Sequence, residues 1–267
     1  MSLRIGCSGW SYSDWVGPFY PRDVSSKDFL RLYSSIFDTV EVDSTYYRLP
    51  LAHVVSQWKH STPSGFLFTA KLPKRLTHDQ KLEGAGEILP RFYRTMHEFG
   101  DKLGPILVQL PPSFKYETGK QRLERLLEAM DSRHRHTIEF RHRSWFKPEI
   151  YNLLKNYGVA LCWSINQYLT TPADVTSDFI YLRFVGDRTI TDFGKVQRDR
   201  SEVMKTWTKT LDDVGTTVKD KFVLFNNHFT GFGPASVNEF RRLVGLAQID
   251  WSGLGSLKSA QSRLQEF

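Results

Sequence analysis

Six apolar runs in this chain carry polar or charged residues at or near their ends, and those residues are the ones whose types could do chemistry. They are "TVEVD" with Glu41 and Asp43, "FLFTAK" with Lys71, "PILVQL" with Gln109, "HTIEFR" with Glu139 and Arg141, "FIYLRF" with Tyr181 and Arg183, and "FVLFNN" with Asn226 and Asn227. Glu41 and Glu139 can move protons. Lys71, Arg141 and Arg183 can hold a carboxylate, a phosphate or the hydroxyls of a sugar, with Gln109 and the two asparagines orienting it. Lys71 is also a candidate nucleophile for Schiff-base chemistry, against the plainer role of an electrostatic anchor. Three acids face three cations in this set. A self-satisfied ion-pair network that closes the end of the fold is therefore the competing reading.

Aromatic residues crowd the segments that follow these runs. "SGWSYSDWVGPFYP" offers Trp10, Tyr12 and Trp15, "STYYRLP" offers Tyr46 and Tyr47, and "RHRSWF" offers Trp145. Such side chains either stack on sugars or bases, or pin the loops that carry them. His142 and His228 lie near Asp43 and Glu139 in the expected geometry, but no HExxH or paired-cysteine spacing accompanies them, so no metal or other cofactor is assigned. A GxSxG elbow and a P-loop are both missing from the sequence.

To gather these residues the chain needs parallel strands. Eight β-rich runs, at 3–8, 39–43, 66–71, 105–110, 136–141, 159–164, 179–184 and 222–227, alternate with amphipathic stretches at 26–36, 51–60, 88–102, 118–130, 147–157, 200–214 and 234–247. That alternation predicts an α/β fold, a (β/α)8 TIM barrel of parallel strands. The segment 165–178 holds Pro172 and no apolar stripe, so the sixth helix is expected to be reduced or absent. Within each strand, Val40, Val42, Phe68, Ala70, Ile138, Phe140, Leu182 and Phe184 should face helices while the polar alternates face inward. The polar set sits at the C-terminal strand ends, where barrel sites are built. The segment 71–87, "KLPKRLTHDQKLEGAGE", reads as a long connection able to act as a lid.

The 267 residues suit one barrel domain spanning 1–267, with the tail after about 251 left unassigned. Lys and Arg number 36 against 29 acids, a net charge of +7 spread without runs, which admits a nucleic-acid partner but does not mark one. Cys7 and Cys162 read as buried thiols. No secretory leader or membrane-length apolar stretch is visible, so a cytoplasmic location without membrane association is expected. The sequence leaves the oligomeric state open.

Seven ordered motifs, "GCSGWSYSDWVGPFYP", "FDTVEVDSTYYRLP", "FLFTAKLPKRLTH", "GPILVQLPPSF", "TIEFRHRSW", "YLRFVGD" and "FNNHFTGFGPASV", resemble the YecE-like proteins, a TIM-barrel family without an assigned reaction. The resemblance implies a site built from Glu41, Lys71, Gln109, Glu139, Arg141, Arg183 and Asn227. Many relatives carry a His at Val185, so a mechanism through that imidazole is not implied here. The expected function is an enzyme acting on a small anionic or sugar-like substrate, with Glu139 and Glu41 as acid and base in hydrolysis or isomerisation. Trp10, Asp43, Tyr46, Gln109, Arg141, Trp145, Tyr181, Arg183, Asn226 and Asn227 are the expected substrate contacts. The alternatives are a nucleic-acid-binding protein or phosphodiesterase of the endonuclease kind, and a ligand sensor without turnover.

Overall fold

A computed structural model describes residues 2–254 apart from Tyr168. The part of the unassigned tail from 255 to 267 lies outside the described residues.

Eight strands close into a parallel barrel in sequence order, each hydrogen-bonded to the next and the last to the first. They are β1 (Ser2–Ser8), β2 (Thr39–Val42), β3 (Leu67–Lys71), β4 (Leu103–Gln109), β5 (His136–Glu139), β6 (Ala160–Asn166), β7 (Phe179–Gly186) and β8 (Asp220–Phe225). The helices are α1 (Phe29–Ile36), α2 (Ser44–Tyr47), α3 (Ala52–His60), α4 (Ala85–Met96), α5 (Tyr116–Ala129), α6 (Pro148–Asn156), α7 (Ser201–Asp213) and α8 (Gly233–Leu243). Among these eight α-helices of the described residues, α2, a single turn beyond β2, is the one that the apolar periodicity does not announce.

Strand parity falls as the alternation requires. Val40, Val42, Phe68, Ala70, Ile138, Phe140, Leu182 and Phe184 join the large core between sheet and helices, while Leu107, Cys162, Tyr181, Phe222 and Leu224 belong to a separate cluster inside the barrel. The two thiols are free and buried on opposite sides of the sheet, Cys7 in the outer core and Cys162 in the inner cluster.

Between β6 and β7 no helix forms among the described residues. An extended segment covers β6 instead. Thr176 Oγ1 accepts from Leu161 N at 2.7 Å and donates to Val159 O at 2.7 Å, and Trp163 Nε1 donates to Asp174 O at 3.0 Å. These bonds satisfy a backbone that has no apolar stripe with which to pack as a helix.

The connection after β3 is more structured than a free loop. A wide helical turn spans Arg75–Asp79, and Leu76, Thr77 and Leu82 are buried beneath it. The apolar side of this segment is docked, and its polar side carries Lys74 and His78.

At the end of β7, Gly186 adopts φ +77 with the His228 carbonyl 2.1 Å from where a Cβ would stand. Only glycine meets both demands, and the β8–α8 loop can therefore lie against the strand end.

No helix among the described residues is long and apolar enough to cross a membrane.

Candidate active site at the barrel mouth

The inward strand ends converge on one buried guanidinium. Arg183, 2 % exposed, gives its Nε to Glu41 Oε2 at 2.9 Å and its Nη2 to Glu41 Oε1 at 2.7 Å, a two-point clasp. Its Nη1 donates to Glu139 Oε2 and, at 3.2 Å, to Gln109 Oε1. Neighbouring strands complete the two carboxylates. Ser8 Oγ donates to Glu41 Oε1 at 2.9 Å and Ser164 Oγ to Glu139 Oε1 at 3.2 Å. Tyr181 donates to Glu41 Oε2 at 2.8 Å, so the 2.7 Å bond between Tyr181 and Thr69 runs from the threonine hydroxyl to the phenol oxygen.

Two further cations close the set toward solvent. Lys71 Nζ stands 3.1 Å from Glu41 Oε1 and also pairs with Asp43. Arg141 Nε donates to Glu139 Oε1 at 2.7 Å. Local structure positions both. The single turn α2 presents Thr45 Oγ1 to Lys71 N at 3.0 Å while donating to Val42 O at 3.0 Å, tying the ends of β2 and β3 together. Side-chain exposure rises outward, from 2 % at Arg183 through 8 % at Lys71 and 17 % at Arg141 to 28 % at Asp43.

Burial by itself would raise both glutamates, but it is outweighed. Arg183 and Lys71 hold Glu41 well below the usual carboxylate range, and Arg141 and Arg183 bring Glu139 down to about 2. Asp43 moves the other way, raised by burial and by Glu41 against the pull of Lys71. At the rim, burial and the neighbouring Arg141 and Lys74 lower His78 to about 4, so its imidazole is neutral at pH 7.

The depressed glutamates set a sign for acid stability. A carboxyl whose folded pKa lies below its unfolded value contributes stability above the unfolded value, and that contribution is lost as pH falls through the folded one. Urea midpoints are thus expected to fall steeply as pH drops from 4.5 toward 2, the window of Glu139, with Glu41 extending it lower. Glu139→Gln should flatten that slope; an unchanged slope would place the acid sensitivity elsewhere.

Glu41, Asp43, Lys71, Gln109, Glu139, Arg141, Tyr181 and Arg183 thus meet in one network. Tyr46 stands at its edge, half-exposed, its ring 5.2 Å from His78. Asn226 lies at the same strand end, its side chain accepting from His228 N at 3.0 Å.

Three other candidates are placed apart. Trp10 packs edge-on against Trp58 and Phe68 at 5.3 and 6.5 Å, on the helix side of the sheet. Trp145 is fully buried, stacked on Phe140 and Phe114 at 4.8 and 5.4 Å. Asn227 is buried behind β8, where its Oδ1 accepts from Trp15 Nε1 at 3.2 Å and from Gly233 N at 2.9 Å. All three lock loops in place. The histidines weighed as metal ligands are also otherwise engaged, His142 with Ser144 Oγ at 2.8 Å and His228 with Ile190 O at 3.0 Å.

Ser8, Ser164 and His78 are the residues that the reading by type passed over, while Thr69 lies inward as its parity requires. The serines had a signal, since "IGCS" and "LCWS" place them at inward parity. His78 had none except its place in the motif "LPKRLTH".

A parallel α/β barrel with a buried ion-paired floor at its C-terminal end is the class that fold and site define. Within it, residues 4–261 match the family described as "Protein of unknown function DUF72", and the chain belongs to that family. The chain is similar to the UPF0759 protein YunF of Bacillus subtilis, 25 % identical across 94 % of this chain and 97 % of the relative, and to the UPF0759 protein YecE of Escherichia coli K12, 29 % identical across 54 % and 50 %. Among solved structures it resembles a DUF72 family protein of Thermotoga maritima, with TM-score 0.79 and 29 % identity over 92 % of this chain and all of that one. A structure titled SacUVDE shares the fold alone, with TM-score 0.55 at 8 % identity over 93 % of this chain and all of that one.

Proposed function

We propose that the barrel mouth binds and transforms a small anionic or sugar-like molecule, held by Lys71 and Arg141. The observation that carries this reading is the division of labour among the three cations. Arg183 is consumed at depth by two glutamates, whereas Lys71 and Arg141 reach the opening with part of their surface uncovered.

Lys71 and Arg141 are the cations nearest the opening, where an anion would meet them; Asp43, the acid beside Lys71, is raised by burial and by Glu41. Lys74 and His78 extend the polar rim beside Arg141 and Tyr46.

The same arrangement assigns proton traffic. In the free protein Glu41 and Glu139 are carboxylates tied to cations, which makes them weak bases. A ligand anion that takes over Arg141 removes one of the two charges depressing Glu139, so binding itself would raise Glu139 toward the range in which it can accept a proton. Glu41 keeps its clasp on Arg183 and serves as a fixed counter-charge. Asp43, paired with Lys71, and His78, 5.2 Å from the Tyr46 ring, stand at the opening where a bound ligand would meet them.

A thermal-shift screen with inorganic phosphate, phosphosugars, sugar acids, nucleotides and oligonucleotides tests this, because a ligand of the folded state raises its stability. A small anion is expected to raise the midpoint, and Arg141→Ala to weaken that effect about tenfold or more, in line with the loss of a charge-assisted contact. Oligonucleotide binding that falls by several decades between low and physiological salt would instead carry the nucleic-acid alternative. A screen without a shift, or one in which Arg141→Ala and Lys71→Ala bind as well as the parent, would overturn the proposal.

A further inference from the structure

The opposite end of the barrel holds a second cluster of chemistry-bearing side chains, unrelated to the mouth. His97 follows the last residue of α4, and Asp131 and His134 lie in the turn between α5 and β5. Both segments precede the strands they feed, β4 and β5, so the cluster sits on the N-terminal face.

Its donor atoms are already gathered. The Nε2 atoms of His97 and His134 are 2.9 Å apart, His134 Nε2 is 3.8 Å from Asp131 Oδ2, and one ligand atom from each residue lies within 4.8 Å of the others. Ligands on a tetrahedral ion with bonds near 2.1 Å are separated by about 3.4 Å. The observed separations bracket that value, and small rotations of the exposed His97 would bring them to it.

The surroundings hold two of the three ligands in place. Tyr93, one turn before His97 on α4, stacks its ring on His134 at 5.3 Å with the planes 24° apart. Its hydroxyl accepts from Asp131 N at 3.3 Å and pairs with His136 Nε2 at 2.8 Å. One side chain thus supports both the imidazole and the turn that carries the carboxylate, as the outer partners of metal ligands do. Asp131 is paired to Arg133, with Nη2 to Oδ2 at 2.5 Å, but the Arg133 side chain is 75 % exposed and can swing into solvent when a divalent cation takes its place. Without an ion, two imidazole nitrogens at this distance share one proton as donor and acceptor.

We propose that His97, His134 and Asp131 form a binding site for a divalent ion of the zinc type, with water in the fourth position. Two imidazoles and one carboxylate suit zinc, and the Irving–Williams order adds nickel and copper while disfavouring magnesium and calcium, which seek oxygen. The ion would join the end of α4 to the turn before β5. Its place on the N-terminal face assigns it to holding or regulating the fold rather than to the chemistry of the mouth.

The test uses the full chain stripped with a chelator. Competition of Zn2+ against a chromophoric chelator, and the visible spectrum of added Co2+, read affinity and geometry. One equivalent of each ion is expected, with the strong absorption of tetrahedral cobalt and a rise in melting temperature on adding Zn2+. His97→Ala should weaken binding tenfold or more, and since His97 is exposed this variant keeps its fold, as circular dichroism would check. Asp131→Asn should do likewise, while His60→Ala, on another exposed helix end, should bind as the parent does. Binding that survives His97→Ala, a cobalt spectrum that is octahedral, or less than half an equivalent of zinc would overturn the proposal.

Discussion

Arg183→Met is expected to destabilise the protein by about 3–5 kcal/mol, the cost of leaving buried carboxylates without their counter-charge. Arg183 is the shared partner of two glutamates that are each 0 % exposed, and Lys71 and Arg141 reach only one of them apiece. Urea unfolding at pH 7 measures the loss. The companion experiment removes two acids and two cations together, leaving Lys71 paired with Asp43. Glu41→Gln and Glu139→Gln combined with Arg183→Met and Arg141→Met should recover most of the stability, because buried ion pairs replaced as a unit are close to neutral whereas one broken in half is not. A cost below about 1 kcal/mol for the single variant would mean that water reaches the floor of the mouth and that the network is not what closes it.

The second large effect lies away from the network. Trp145→Ala should cost about 3–5 kcal/mol, the range for truncating a large buried aromatic. Its indole is stacked between Phe140 and Phe114, and Nε1 donates to Phe114 O at 2.6 Å, so truncation leaves both a cavity and an unpaired buried carbonyl. The comparison is Tyr47→Ala. That ring is 79 % exposed, and its loss should change stability by less than about 0.5 kcal/mol. If the ligand sought above stacks on the rim, Tyr47→Ala or Tyr46→Ala would weaken binding at unchanged stability, the reverse of the pattern expected at Trp145. A Trp145→Ala variant as stable as the parent would undo the assignment of this residue to loop anchoring.

Both experiments bear on how much of the site could be read before the chain was folded. The floor was legible because period-two alternation leaves a polar residue on a buried strand nowhere to point except into the barrel. Glu41, Lys71, Thr69, Glu139 and Arg183 follow from that rule alone, and so, had it been applied to the serines, do Ser8 and Ser164. The aromatic residues were not legible in the same way. Trp10, Tyr46 and Trp145 sit in loops or single turns beyond the strand ends, too short for a period to fix direction, and a tryptophan has the same sequence signature whether it stacks on a ligand or fills the space under its own loop. Asn226 and Asn227 follow the alternation instead: after Phe222 and Leu224 inside and Val223 and Phe225 outside, Asn227 falls behind the sheet, where it holds Trp15 and the start of α8, so its expected place among the ligand contacts ran against its own parity.

The sequence by itself determined the barrel, its reduced sixth connection and the acids and bases of its floor, because strand and helix periods are local and a buried charge must find a partner. Tertiary structure alone decided which cations keep some exposure at the mouth, which aromatics became core, and that His97, Asp131 and His134 meet at the far end. Those outcomes depend on how segments far apart in the chain close on one another, and no local pattern encodes that distance.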